Sequence, residues 1–184
     1  MNNVESAFKD LADFIDRQPK PLILAIEGQC ASGKTTLANM FKDMYAVIHI
    51  DDFFLPPHLK TEERLAEVGG NINYEAIHKM LTGIKVKHII EYDKYDCHAD
   101  KYSHVNIPYN EVIILEGVYS FHPYFNNLID RLVFIETDSK EQRERIDQRS
   151  NAQMFYKLWI PLENRYYKES GILNKTNFRI KKIN

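Results

Sequence analysis

The segment GQCASGKT at residues 28–35 constrains the fold of this chain more than any other feature. It has the spacing of a phosphate-binding loop, because two glycines bracket four residues and a lysine and a threonine follow at once. Gly28 and Gly33 allow the backbone to turn its N–H groups inward around an anion. The Lys34 ammonium reaches the β- and γ-phosphates, and the Thr35 hydroxyl ligates magnesium. The segment therefore predicts a nucleoside triphosphate site.

The residues on either side of this loop have the required order of strand, loop and helix. Residues 22–26 (LILAI) form an apolar run suited to a buried parallel strand, and residues 36–41 (TLANMF) suit a helix. The start of that helix would direct free N–H groups and the positive end of its dipole at the phosphates. We therefore expect the nucleotide to contact Gly28, Gln29, Cys30, Ala31, Ser32, Gly33, Lys34, Thr35 and Thr36.

The composition fits a single globular domain over residues 1–184, with 44% hydrophobic residues. The net charge of -2 indicates no general basic field, so neither a nucleic acid nor a membrane is expected as a partner. Cys30 and Cys97 form no CxxC pair, and the first residues lack a secretory pattern, which favours a reducing cytoplasm. The sequence leaves open whether the chain is a homo-oligomer.

Apolar runs alternate with helical segments along the chain, which predicts an α/β fold with a parallel sheet wrapped by helices. Strands are expected at residues 46–50, 112–115, 132–135 and 178–181. Helices are expected at residues 4–15, 74–81, 139–150 and 155–166, the last of which tolerates Pro161 only with a kink. Residues 58–72 have an irregular pattern, and residues 86–107 include a polar, hairpin-like stretch.

Acidic residues follow two of the predicted strands, where ligands gather in open parallel sheets. Asp51 would accept the proton of a hydroxyl, and Glu116 would hold magnesium directly or through water. The structural alternatives are that Asp51 or Asp52 caps the turn before Pro56 and that Glu116 satisfies backbone amides. The functional interpretation is favoured for Asp51 and Glu116, whereas the two interpretations of Asp52 are equally weighted.

Three arginines lie in the predicted helix after the fourth strand. We expect Arg145 and Arg149 to belong to a lid, at about residues 143–156, that gathers charge during transfer, with Arg149 also binding the nucleotide. Arg143 is expected to face solvent. The alternative for Arg145 is an ordinary surface pair with Glu141 at i,i+4 spacing. The stretch at about residues 56–107 is expected to cover the acceptor.

Aromatic residues recur at helical spacing between residues 155 and 166. Trp159 and the pair Tyr166 and Tyr167 are able to stack on a base, but aromatic residues at such spacing more often belong to the core. Cys30 lies within the predicted phosphate cradle, where positive dipoles lower a thiol pKa, although a small tolerated residue is the favoured interpretation.

These motifs together resemble the uridine kinase-like and nicotinamide riboside kinase-like branch of P-loop kinases, a group related to phosphoribulokinase. The matching segments are residues 28–36, 49–54 (HIDDFF), 114–119 (ILEGVY) and 137–138, followed by spaced arginines. They occur in the family's order over nearly the whole chain. The resemblance implies a P-loop NTPase fold with three α/β/α layers, a parallel five-stranded sheet and a small lid.

The resemblance also implies roles for individual residues. Asp51 would be the catalytic base, Thr35 and Glu116 would place magnesium, and Arg145 and Arg149 would lie in the lid. ATP and Mg²⁺ would be the cofactors, and a small molecule with a hydroxyl group would be the acceptor.

The acceptor site departs from the pattern of the resembled kinases. Tyr95 and Asp96 match the start of the segment that reads uridine, but Asp100 and Tyr102 stand where a histidine and an arginine are expected. Asn73 stands where relatives carry an aspartate that binds ribose hydroxyls. We expect Asp51, Asn73, Tyr95 and Asp96 to contact the acceptor, which would be a nucleoside, another riboside or a different small alcohol.

The predicted activity is transfer of the γ-phosphoryl group of ATP to such an alcohol, with Asp51, Lys34 and Arg145 as catalytic residues. The alternative is a nucleotide-binding regulatory or scaffold protein without kinase activity. A GTPase is disfavoured, because residues 174–177 (NKTN) end in an asparagine that cannot accept both guanine N–H groups.

Overall fold

The computed structural model describes residues 3–181, and their centre is a sheet of five parallel strands. The strand order is β2-β5-β1-β6-β7, which confirms the predicted P-loop α/β fold. A separate antiparallel hairpin consists of β3 and β4. The strand bounds are β1 Leu22–Gly28, β2 Ala46–His49, β3 Ile90–Asp96, β4 Lys101–Ile107, β5 Val112–Glu116, β6 Arg131–Glu136 and β7 Phe178–Lys181.

Helices cover both faces of the sheet, and the core has one apolar cluster on each face. β1 and β5 are buried along their whole length, as their continuous apolar sequences predict for central parallel strands. The helix bounds are α1 Asn3–Asp16, α2 Lys34–Asn39, α3 Glu62–Ala66, α4 Tyr74–Lys87, α5 Ser139–Asp147, α6 Ala152–Met154 and α7 Ile160–Ser170. None of the helices within residues 3–181 is long and apolar enough to cross a membrane.

The predicted helix at residues 155–166 begins earlier and ends later in the structure. Between α6 and α7, Phe155–Trp159 is a π-helical segment, so helical backbone runs from residue 152 to residue 170. Pro161 lies in the first turn of α7 and directly follows the π-helical segment. The irregular helical turn before the proline takes the place of the predicted kink.

The segment at residues 58–72 was predicted to be irregular, and this was wrong at α3. Thr61 caps that helix, since its side chain accepts a hydrogen bond from Arg64 N. Arg64 then donates to both carboxylate oxygens of Glu75, at 2.7 Å each, and to the carbonyls of Gly70 and Ile72. Arg64 of α3 thus holds the loop at Gly70 and Ile72 and the first turn of α4 together. The polar composition of this segment gave no sign of these contacts.

Candidate active site

The phosphate loop follows β1 directly and leads into α2. Gly28 has φ +154°, and an added Cβ would lie 2.7 Å from the carbonyl oxygen of Ile135, so the position requires glycine. Gly33 has φ +93° and precedes the first residue of α2. The Lys34 Nζ donates to the carbonyls of Gly28 and Gln29, at 2.8 Å each. The loop therefore closes around its own lysine at the amino end of a helix.

Side chains from the later part of the chain hold the outer turn of the loop. Cys30 N donates to Glu163 Oε2 at 2.9 Å, and Gln142 Nε2 donates to the Cys30 carbonyl at 3.1 Å. Arg145 Nη1 donates to the Ala31 carbonyl at 2.8 Å. Burial and the nearby Glu163 carboxylate raise the pKa of the Cys30 thiol to about 12, which argues against an activated thiol.

Thr35 and Glu116 lie beside each other, as the sequence predicted for a magnesium site. Thr35 Oγ1 lies 3.1 Å from Glu116 Oε1, and His49 Nδ1 lies 2.6 Å from the same oxygen. The hydrogen bond to Glu116 raises the pKa of His49. The other oxygen, Glu116 Oε2, is buried without a hydrogen-bond partner. A hydroxyl and a carboxylate with an unused oxygen suit Mg²⁺, which takes one or two protein carboxylates together with phosphate oxygens.

Asp51 follows β2, the strand next to β5, and lines the same cavity as Thr35 and Glu116. His49 of β2 lies opposite Glu116 of β5 in the sheet, and Asp51 follows in the 3₁₀ turn Ile50–Phe53. Asp51 is exposed to solvent as a whole residue, and its side chain lines the cavity beside the loop. Desolvation of the carboxyl on the cavity side and the Glu116 carboxylate raise the pKa of Asp51, and the Lys34 ammonium opposes this change. A carboxylate with a raised pKa next to a triphosphate loop is suited to accept a proton.

Asp52 points away from this group and holds the β3–β4 hairpin. Its carboxylate accepts a hydrogen bond from the Tyr92 hydroxyl at 2.9 Å and pairs with Lys94 Nζ at 2.6 Å. The sequence left the role of Asp52 open between function and turn capping. The structure shows that Asp52 joins the Asp51 turn to the hairpin instead.

Two concave regions meet at the loop. One runs along the outside of the loop and is bordered by Arg145, Arg149 and Val4. The other is a cavity of about 240 Å³ with charged residues on one side and aromatic walls. Its lining includes Lys34, Thr35, Asp51, Phe54, Asn71, Glu116, Tyr119, Arg149, Phe155, Trp159 and Glu163. The cavity hence joins the predicted metal site, the predicted base and one lid arginine.

Three predicted acceptor residues do not line this cavity. The Asn73 side chain caps α4 by accepting from Ala76 N at 3.0 Å. The Tyr95 hydroxyl donates to Asp100 at 2.7 Å, and Asp96 Oδ1 accepts two backbone N–H groups in the hairpin turn. Their contact with an acceptor stays a prediction.

Sequence reasoning missed two polar residues that line the cavity, Asn71 and Glu163. For Glu163 a signal was available, because it shares a helix face with Trp159 and Tyr166, four and three residues away. A charged residue on an otherwise aromatic face is unusual in a helix that packs on a core. Nothing comparable marked Asn71, which lies in the segment between α3 and α4.

The aromatic residues of this helix differ in their roles. Tyr166 and Tyr167 are buried core residues, and their hydroxyls donate to Glu27 at 2.7 and 3.1 Å. Phe121 N donates to Glu27 as well, at 3.0 Å. Burial raises the pKa of this carboxyl to about 7. Trp159, which was also expected in the core, lines the cavity instead, with its ring 5.5 Å from that of Phe54.

No family model matches the chain, but curated proteins do. Uridine kinase-like protein 4 of Arabidopsis thaliana is 29% identical over 171 residues, which are 83% of this chain and 35% of that protein. The uridine kinases of Clostridium novyi and of a Geobacillus species are 29% and 30% identical, over 65% of this chain and 63% of each relative. The chain thus spans less than two thirds of the length of these relatives.

One solved structure extends the likeness to the fold. The structure described as a possible uridine kinase from Bacillus stearothermophilus has a TM-score of 0.71 and 19% sequence identity. The match covers 97% of both chains. At this identity the likeness concerns the fold alone, and the names of the curated relatives support a kinase of the P-loop type. The comparisons therefore confirm the resemblance: in sequence and in fold, the chain is similar to uridine kinase-like P-loop kinases.

Proposed function

We propose that this chain is a magnesium- and ATP-dependent kinase that phosphorylates a hydroxyl group of a small molecule. The acceptor we propose is a nucleoside such as uridine or cytidine, or a related riboside. The observation that carries the proposal is that Asp51 and Glu116, from adjacent strand ends, line one cavity with Lys34 and Thr35 of the phosphate loop. Phosphoryl transfer requires these functions in one place.

Thr35 and Glu116 are the residues proposed to hold Mg²⁺. The unpartnered Glu116 Oε2 supports this assignment, because a buried carboxylate oxygen without a partner is costly unless it receives a ligand. When bound, the ion supplies positive charge that offsets the charge of the phosphates. Within residues 3–181 no group of three or more His, Cys, Asp or Glu is arranged to hold a metal ion, which suits a site completed by nucleotide phosphates.

The chain's own residues would carry out the proton transfer and the charge neutralisation. Asp51 would accept the proton from the acceptor hydroxyl, and its raised pKa makes its carboxylate a stronger base than an ordinary aspartate. Lys34 lies within the loop, and Arg145 and Arg149 border it from outside. These three cations would stabilise negative charge on the transferring group.

Two lines of support favour a nucleoside or riboside. Curated relatives are named uridine kinases, and the cavity has aromatic walls formed by Phe54, Tyr119 and Trp159. Such walls suit a planar base, whereas the charged side near Asp51 suits a sugar hydroxyl.

Acceptor-dependent release of ADP tests the proposal. Wild-type protein should release ADP from Mg·ATP faster with at least one nucleoside or riboside of a panel than with water alone. Nucleotide binding measured by calorimetry, combined with no acceptor-dependent turnover, would instead support the alternative of a regulatory or scaffold protein. That outcome would overturn the kinase assignment while leaving the nucleotide site intact.

A further inference from the structure

Glu163 of α7 is a buried carboxylate that the proposed phosphoryl transfer does not use. Its side chain lines the cavity, and the residue is only 6% exposed. One oxygen, Oε2, accepts the N–H of Cys30 in the phosphate loop. A neutral amide would accept that hydrogen bond as well, so the contact does not by itself account for a buried charge.

Two basic side chains, Lys34 and Arg149, line the same cavity. The Lys34 ammonium opposes the effect of burial, which raises the pKa of Glu163. Lys34 Nζ donates to two loop carbonyls, and the Arg149 guanidinium lies 4.8 Å from the centre of the Phe155 ring. The Nζ of Lys60 lies 5.8 Å from the centre of the Phe54 ring, but Lys60 does not line the cavity.

Glu163 and Asp51 place two carboxylates in this cavity, and the part that they line is called the acceptor end. Burial raises the pKa of Glu163, Lys34 opposes the rise, and the Asp51 charge adds a smaller contribution to it. Aromatic rings line the same cavity, including Phe54 and Trp159 with their centres 5.5 Å apart. With Lys34 directed at the phosphates, an anionic acceptor would meet two like charges at this end.

We propose that Glu163 is an acceptor-binding residue that selects neutral or cationic alcohols over anionic ones. Its carboxylate accepts a hydrogen bond from a donor group of the acceptor near the hydroxyl that Asp51 activates. Phe54 and Trp159 contact an apolar or planar part of the same molecule. This inference rests on the proposed function, because it concerns the acceptor of that kinase.

Steady-state kinetics of Glu163→Gln test the proposal. Gln keeps an acceptor for the Cys30 N–H and removes the charge, so the loop contact is preserved. The acceptor KM should rise by about tenfold or more, the loss expected for a hydrogen bond to a charged group. The ATP KM should change by less than about twofold, since the loop retains its amide contact. Glu169→Gln on the exposed side of α7 is the matched control, as Glu169 pairs only with Arg165 at the surface.

A panel of acceptors that differ in charge provides a second measurement, which uses the wild-type protein and needs no variant. It contains neutral ribosides and polyols, amino alcohols, and hydroxy acids and sugar phosphates. Higher kcat/KM for neutral or cationic members supports the inference. A hydroxy acid or sugar phosphate as the best acceptor overturns it, as does an unchanged acceptor KM in Glu163→Gln. A rise in ATP KM alone would assign Glu163 to loop positioning and also overturn it.

The two proposals fail in different ways in this experiment. If no member of the panel stimulates ADP release by the wild-type protein, the kinase function fails and the inference fails with it. If acceptors are phosphorylated but charge and Glu163 have no influence on their KM, the function stands and only the role of Glu163 is lost.

Discussion

The phosphate loop and the proposed acceptor end of the cavity adjoin each other, but one consists of backbone groups and the other of side chains. The loop is one contiguous segment, residues 28–35, whose backbone groups would bind the phosphates. The proposed acceptor end combines side chains from four separate segments, represented by Asp51, Asn71, Tyr119 and Glu163. A backbone site depends on spacing within one segment, whereas a side-chain site depends on how distant elements pack. Substitutions should therefore act on different kinetic parameters in the two regions.

The largest effect is expected from Asp51→Asn, which tests whether the acceptor end can be changed without an effect on nucleotide binding. Loss of the proton acceptor should lower kcat by about 10²–10⁴-fold. Nucleotide affinity should stay nearly unchanged, because the role proposed for Asp51 is to accept a proton from the acceptor and not to bind nucleotide. Acceptor-dependent ADP release and calorimetric titration with nucleotide measure the two quantities. Loss of nucleotide binding instead would place Asp51 in the nucleotide or metal site.

A smaller effect is expected from His49, which connects the two regions through Glu116. His49→Ala removes the nitrogen 2.6 Å from Glu116 Oε1, so the carboxylate loses an orienting partner. The Mg²⁺ concentration for half-maximal activity should rise by about 10–100-fold. His49→Asn offers an N–H donor in a similar position and should restore part of the loss. Equal Mg²⁺ requirements in wild type and His49→Ala would show that His49 does not orient the metal site.

Glu27 lies beneath both regions, since it belongs to β1 and receives hydrogen bonds from Tyr166 and Tyr167 of α7. The pKa of its carboxyl is raised from 4.5 to about 7, so the folded protein keeps a proton that the unfolded chain releases above pH 4.5. Stability from this group is full below pH 4.5 and is lost as pH rises to about 7. The loss should be on the order of 3 kcal/mol in the free energy of unfolding.

Glu27→Gln should remove this part of the pH dependence. The variant is expected to be less stable than wild type at pH 5, because an amide accepts fewer hydrogen bonds, and the difference should shrink or reverse by pH 8. Urea unfolding at several pH values measures it. Parallel pH profiles for the two proteins would contradict the assignment of a neutral buried carboxyl.

The smallest effect is expected from Arg64→Lys, because Arg64 holds the segment around Asn71 and makes no hydrogen bond to the phosphate loop among residues 3–181. Lysine keeps the charge but loses the two-point contact with Glu75 and the stacking on Tyr74, whose ring centre lies 3.7 Å from the guanidinium carbon. The free energy of unfolding should fall by roughly 1–3 kcal/mol. The acceptor KM should rise, because the segment that carries Asn71 loosens, while the ATP KM stays constant.

Arg179→Lys is the control for that substitution. Arg179 is an exposed arginine that pairs with Glu136 and donates to the Leu173 carbonyl at the surface, away from the cavity. Its replacement should lower stability by about 1 kcal/mol and leave the acceptor KM unchanged. A change in ATP KM for Arg64→Lys would show that the segment around Asn71 and the phosphate loop are mechanically coupled. The loop and the acceptor end would then not respond independently to substitution.

Local sequence patterns predicted the phosphate loop and the central strands of this protein. The loop spacing and apolar runs predicted the central parallel strands, and the ends of two runs predicted where Asp51 and Glu116 lie. Spacing succeeds here because neighbouring residues shape the loop and because parallel strands bring their carboxyl ends to one edge. Residues 58–72 were the exception, since α3 depends on the cap by Thr61 and the contacts of Arg64.

Packing between distant elements, which the sequence pattern does not reveal, brings Asn71 and Glu163 into the cavity with Asp51. Tyr95 and Asp96 make hydrogen bonds within the hairpin and Asn73 caps a helix, so their contact with an acceptor stays a prediction. Glu163 reaches Cys30, 133 residues away along the chain, because α7 packs beside the loop. Such long-range contacts depend on how the helices pack against the sheet, so residue spacing along the chain does not predict which residues meet.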